Sequence, residues 1–263
     1  MYTLLAIYVL ALAALYIFQR SFLYFPAGTY LTPAAAGADK SFTEITVKTG
    51  DGLDLKGWYA PATTKPYTLV FFHGNADRLE TSAGLALPFI GSGYGFLLAE
   101  YRGYSGMPGH PTETGLYADA RAFIEALHAA GVADKNIVLF AHSLGTGVAV
   151  QMAVEYKPAG IILMSPFMSI AKMAQIRFPI FPAEFLARDR FENFKKITLV
   201  KCPLLEGHGG KDRVVPLSQG QKLFALANEP KEFHLFPEAG HNDLFDYGFA
   251  DISLAWLQHL PAN

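Results

Sequence analysis

The sequence predicts an α/β fold: a mostly parallel twisted sheet with helices on both faces, an antiparallel strand pair at its N-terminal side, and an N-terminal transmembrane helix ahead of it. Three observations predict it. Short apolar runs alternate with helix-length segments from residue 68 onward, the pattern of right-handed βαβ crossovers. Before that series, Gly50-Asp51-Gly52 separates two strand-like segments, as an antiparallel pair requires. Residues 1–18 carry no charge at all.

At about 1.5 Å per residue that first segment reaches about 27 Å, close to the hydrocarbon thickness of a bilayer. Tyr2, Tyr16 and Tyr24 stand where such a span would meet the headgroups. Residues 1–20 are therefore expected to form a single-pass membrane anchor. A cleavable signal peptide is the alternative: Ala11-Leu12-Ala13 has the small-x-small form of a cleavage site, although no Lys or Arg precedes the apolar run. Arg20, following the span, tilts the positive-inside tendency weakly towards a cytoplasmic domain. A Pro/Gly/Ala-rich linker over residues 21–40 leads into one domain over residues 41–263. Strands are expected at 42–48, 53–59, 68–72, 95–100, 136–141, 160–164, 202–206 and 232–236, and helices at 113–130, 145–156, 217–227 and 249–260. Sheets of this kind place their chemistry in loops beyond the strand carboxyl ends.

Composition narrows the function. With 51% hydrophobic and 17% charged residues the chain falls below the roughly one quarter charged of an ordinary soluble domain, which fits a membrane segment. The balance of 21 Lys+Arg against 23 Asp+Glu, with no long run of either sign, argues against a nucleic-acid partner. One cysteine, Cys202, rules out an internal disulfide framework and a Cys-based zinc cluster. No phosphate loop and no His/carboxylate cluster with metal spacing occurs, and Gly145-Thr146-Gly147 lacks the rest of a dinucleotide fingerprint. Neither a cofactor nor a metal is expected.

The sharpest signal is Ala141-His142-Ser143-Leu144-Gly145, between the apolar run 137–140 and a helical segment. A nucleophile elbow needs this strand-turn-helix setting, with small residues flanking the serine so that strand and helix can approach. A serine hydroxyl also needs a histidine to take its proton and a carboxylate to orient that histidine. In chain order after Ser143, Asp212 follows the 202–206 strand in a Gly-rich loop and His241 follows the 232–236 strand. Glu206 and Asp243 are the substitute acids. The oxyanion of an acyl transfer needs two donors. The backbone N–H of Leu144 is one, and that of Asn75, in the His73-Gly74-Asn75-Ala76 loop, is the other. His73 reads as a hydrogen-bonder that fixes this loop.

These residues give the chain a family resemblance. It resembles the α/β-hydrolase superfamily and, more narrowly, its Bem46-like branch of N-terminally anchored serine hydrolases. The matching stretches are Phe72-His73-Gly74-Asn75-Ala76, Glu100-Tyr101-Arg102-Gly103-Tyr104-Ser105-Gly106, the Ser143 pentapeptide, His208-Gly209-Gly210-Lys211-Asp212 and Gly240-His241-Asn242-Asp243. The resemblance runs from about Tyr67 to the end, with Ala141 in place of the usual glycine and a shorter Arg-Gly-Tyr segment. It implies Ser143, Asp212 and His241 as the triad and the residue after His-Gly as an oxyanion donor.

Residues 168–200 form a connection long enough for a lid. Met168, Phe178, Phe181 and Phe185 in it are candidate contacts for an acyl chain. The expectation is a serine hydrolase acting on acyl esters or thioesters of a small or lipid-like substrate. A catalytically silent scaffold serving as an interaction module, and an acyltransferase or lyase on the same fold, are the alternatives.

Overall fold

The structure is a computed structural model and describes residues 2–26 and 28–260. Met1, Ala27 and residues 261–263, which fall within the expected anchor, linker and C-terminal domain, lie outside the described residues. Eight strands form one sheet: β1 Thr43–Lys48, β2 Asp54–Ala60, β3 Thr68–Phe72, β4 Gly95–Ala99, β5 Ile137–His142, β6 Gly160–Met164, β7 Leu204–Gly209 and β8 Lys231–Phe236. Their order is β1-β2-β4-β3-β5-β6-β7-β8. β2 runs antiparallel to both neighbours and every other described pairing is parallel.

The helices are α1 Tyr2–Leu23, α2 Leu79–Gly91, α3 Glu113–Ala129, α4 Leu144–Glu155, α5 Ile170–Arg177, α6 Ala183–Leu186, α7 Asn193–Lys196, α8 Leu217–Leu226 and α9 Phe249–Gln258. α2 is the longest helix that sequence reasoning misses, and the shorter α5, α6 and α7 are missed with it. Gly84 and Pro88 interrupt the helical signal of α2, yet Leu79, Ala83, Ala86 and Phe89 line up on one face and are buried.

Because side chains alternate across a strand, the sheet has two cores. Val70, Phe72, Leu139, Ala141 and Leu163 face one layer, packed with residues of α3, α4 and α8. Leu69, Phe71, Val138, Phe140 and Ile162 face the other, under α2 and α9. β3 to β6 are buried along their whole length, which explains why they read as apolar runs, whereas the equally buried β7 carries Glu206 and His208.

Beyond β6 the chain leaves the body as a small cap built on α5 and α6. It returns with Phe191, Asn193, Ile197 and Val200 buried, so the later part of the 168–200 stretch belongs to the body. α1 is long and apolar enough to cross a membrane by length and composition. Its C-terminal half leans on the cap: Arg20 makes a two-pronged pair with Asp189 at 2.7 and 3.2 Å, and Arg188 N–H donates to Gln19 Oε1 at 2.7 Å. The Tyr8 ring stacks on Phe181 with centroids 5.2 Å apart.

Candidate active site

Ser143 sits in the turn from β5 to α4 with φ 50° and ψ −118°, a conformation that L residues adopt only when the surrounding structure imposes it. The imposition is visible. Ser143 N–H donates to Met164 O of β6 at 2.9 Å, and Ser143 O accepts from both N–H and Oγ1 of Thr146 at 2.9 and 2.6 Å. Gly145 is the strict small position, because a Cβ there would lie 2.0 Å from Phe72 O of β3. Ala141 is not under that constraint. Its methyl faces the α4-side core between Phe72 and Leu163, so it fills space that the fold already offers.

Ser143 Oγ lies 2.9 Å from His241 Nε2, and His241 Nδ1 lies 2.7 Å from Asp212 Oδ2. The structure thus brings the three residues into one hydrogen-bonded chain, with Nδ1–H donating to the carboxylate and Nε2 left to accept from the serine. Asp212 Oδ1 accepts from the N–H groups of Val214 and Val215, both at 2.8 Å. Burial works to raise the Asp212 carboxyl, but the hydrogen bond and charge of His241 and these two N–H groups outweigh it and hold it below the ordinary carboxylate range.

The His241 loop is tied on both sides. His142 Nε2 donates to His241 O at 2.9 Å, and Gly240 N–H donates to Asp243 Oδ1 at 2.7 Å. His142 therefore turns away from Ser143 Oγ and holds the His241 loop, while Asp243 shapes that loop without touching His241 Nδ1 in any described contact.

The His73–Ala76 loop passes beside the serine: a Cβ on Gly74 would lie 3.4 Å from Ser143 Cβ. Among the described residues, neither Asn75 N–H nor Leu144 N–H has a protein acceptor. The loop is braced from beneath. His73 is fully buried, its Nε2 2.8 Å from Glu100 Oε1 and its Nδ1 2.8 Å from Gly74 O. Both nitrogens face acceptors, which calls for the imidazolium. Burial opposes that charge, and the Glu100 carboxylate outweighs burial, raising the His73 pKa. Glu100 is held in turn by Tyr101 N–H and Ser105 Oγ. Tyr104 O–H donates to Asn75 Oδ1 at 2.7 Å, as Phe25 N–H does at 3.0 Å, while Asn75 Nδ2 donates to Leu23 O. Tyr104 and His142 are positioning residues that sequence reasoning does not single out for these tasks. The Arg102-Gly103-Tyr104 tripeptide and the His142-Ser143 dipeptide carry the signal, which the sequence reading uses for family resemblance alone.

Glu206, a substitute acid by sequence, is fully buried and neither carboxyl oxygen has a hydrogen-bond partner among the described residues. It packs towards α8, where a Cβ on Gly220 would lie 2.5 Å from Glu206 Oε1 and 2.3 Å from His208 Nδ1. Burial alone pushes its carboxyl well above the ordinary range, which favours the neutral form. A carboxyl whose folded pKa is raised stabilises the fold below the unfolded value near 4 and loses that contribution as pH rises towards the folded value. Relative to wild type, Glu206→Gln is therefore expected to gain about 1.4 kcal/mol per pH unit when urea unfolding is compared at about pH 5 and about pH 7. A pH-independent difference would show that Glu206 is already ionised.

A cavity of about 510 Å³ opens next to this machinery, lined at its inner end by Asn75 and Val214 and further out by Met173, Phe178 and Phe181 of the cap. Two lid candidates need correction. Met168 packs against the core of the body, and Phe185 is 85% exposed; neither lines the cavity. The short α6 turns Phe185 outward, and Met168 precedes the point where the cap leaves the body. Among the described residues no group of His, Cys, Asp or Glu could hold a metal ion.

A family model described as serine aminopeptidase, S33, matches residues 64–189. The chain is 40% identical over 229 residues to the uncharacterized protein Rv2307c of Mycobacterium tuberculosis, covering 86% of this chain and 81% of that one. It is 36% identical over 187 residues to the human alpha/beta hydrolase domain-containing protein 17B, covering 69% of this chain and 62% of that protein. The esterase Pf2001 of Pyrococcus furiosus superposes with a TM-score of 0.72 at 18% identity, over 90% of this chain and 98% of that one, a likeness of fold.

Proposed function

The chain belongs to the α/β-hydrolase superfamily, and from that premise we propose that it is a serine hydrolase cleaving acyl esters or thioesters through an acyl-enzyme on Ser143. The observation that carries this reading is the 2.9 and 2.7 Å chain from Ser143 Oγ through His241 to Asp212. His241 Nε2 takes the hydroxyl proton as Oγ bonds to the acyl carbon, and the carbonyl oxygen becomes an oxyanion facing the N–H groups of Leu144 and Asn75. Collapse of that intermediate breaks the bond to the leaving group, which receives the proton from His241. Water, deprotonated by the same nitrogen, then releases the acid and restores Ser143. Asp212 keeps the imidazole in the tautomer that both halves need.

α1 is read as a retained membrane anchor. What supports retention over cleavage after Ala13 is that Tyr8, ahead of that site, stacks on Phe181 and donates to Ile180 O, so cleavage would strip these contacts from the cap. An activated hydroxyl attacks phosphorus as it would a carbonyl. The test is fluorophosphonate labelling of the full-length protein with mapping of the modified peptide. Modification at Ser143, absent from Ser143→Ala, is expected; an unreactive protein would favour the silent scaffold.

A further inference from the structure

We propose that α1 is one wall of the acyl site: the acyl chain of a membrane-resident ester reaches Ser143 through the cavity between α1 and the cap, and the cavity-facing side chains of α1 set the chain length accepted. The proposal rests on the hydrolase reading above and adds the substrate's class and route. Leu12, Leu15 and Phe22 of α1 line the cavity opposite Met173, Phe178 and Phe181. Their spacing puts them along one helix face, covering about 15 Å of helix length. The wall is fixed in place. Besides the Arg20–Asp189 and Gln19–Arg188 ties, Phe22 meets Phe178 edge-on at 6.3 Å and Tyr8 O–H donates to Ile180 O at 3.2 Å. The end of α1 bonds to Asn75, the proposed oxyanion residue, so the wall leads directly to the reacting centre.

The outer rim points to where the chain comes from. Ile180 is 73% and Phe185 85% exposed, beside an α1 that itself exposes Leu4, Ile7 and Ile17. Apolar side chains so placed on the cap adjoin the same apolar surroundings that α1 requires when it spans a bilayer. An acyl chain already in that bilayer enters the cavity without crossing water, so the site selects long-chain esters over soluble short ones.

The test uses the full-length protein in phospholipid nanodiscs and reads the ratio of kcat/KM for a twelve-carbon over a two-carbon p-nitrophenyl ester. Each methylene displaced from an apolar site costs about fourfold in specificity. Leu15→Trp, whose indole would displace about three methylenes, is expected to lower the ratio about 60-fold. Ile17→Trp, the same change on the outer face, is expected to leave the ratio within about twofold. Leu12→Phe, a smaller intrusion on the inner face, is expected to move the ratio in the direction of Leu15→Trp and serves if the larger substitution does not fold. Equal ratios for the inner-face and outer-face variants would overturn the wall while leaving the hydrolase reading intact. A wild-type protein that hydrolyses neither ester and resists fluorophosphonate would overturn the hydrolase reading, and the wall with it.

Discussion

Ser143→Ala is expected to lower kcat/KM for an accepted ester by about 10³ to 10⁶-fold while the protein still folds. Folding survives because the turn is imposed from outside the side chain: the N–H bond to Met164, the carbonyl bonds from Thr146 and the close approach of Gly145 to β3 all remain. The residual rate comes from binding and from the two N–H donors, which still meet the carbonyl oxygen. Ser165 is the informative control. It too has φ 50°, in the turn after β6, and its N–H bonds to Gly207 O at 2.9 Å, but its buried Oγ has no hydrogen-bond partner among the described residues. With no base beside it, Ser165→Ala is expected to keep its rate within about tenfold. Steady-state kinetics on both variants, with circular dichroism to confirm folding, decide the matter, and the opposite ranking would move the nucleophile to Ser165.

Most of this geometry is legible in the sequence because it is local to strand ends. The strands of the body announce themselves by apolar runs, and chain order places Ser143, Asp212 and His241 each after such a run. What cannot be read is what joins segments far apart in the chain. Arg20 and Asp189 are 169 positions apart and Tyr8 and Ile180 are 172 apart, so no periodicity relates them. The apolar richness of the cap is visible, but Phe181 lies ahead of α6 and α6 itself has 4 residues, too few for a recurring face to show that Phe185 turns outward. α2 is hidden for another reason. Its helix is stabilised by packing on the sheet more than by local preference, and Gly84 with Pro88 weakens the local signal. α1 reads from the sequence as an apolar helix long enough to span a bilayer, whereas its contact with the His73–Ala76 loop is a tertiary fact carried by the Asn75 amide.

Asp212→Asn is expected to cost about 10⁴-fold in turnover with the fold retained, and the surroundings of Asp212 say why. In wild type Oδ1 accepts from Val214 and Val215 N–H, leaving Oδ2 alone to accept from His241 Nδ1–H. An asparagine in this site has one acceptor oxygen. The two backbone donors claim it, since giving up two hydrogen bonds costs more than giving up one imidazole contact. The amide NH₂ then faces His241 and donates to Nδ1, which moves the ring proton to Nε2. That nitrogen can no longer accept from Ser143 Oγ, and the base is lost although every distance in the site survives. Asp243→Asn, which alters only the bond from Gly240 N–H, and Glu206→Gln, whose carboxyl is buried with no hydrogen-bond partner among the described residues, are expected to lose less than about tenfold. Turnover numbers for the three variants on one ester, alongside their Tm values, separate the roles. Near-wild-type turnover in Asp212→Asn with a large loss in either of the others would reassign the acid.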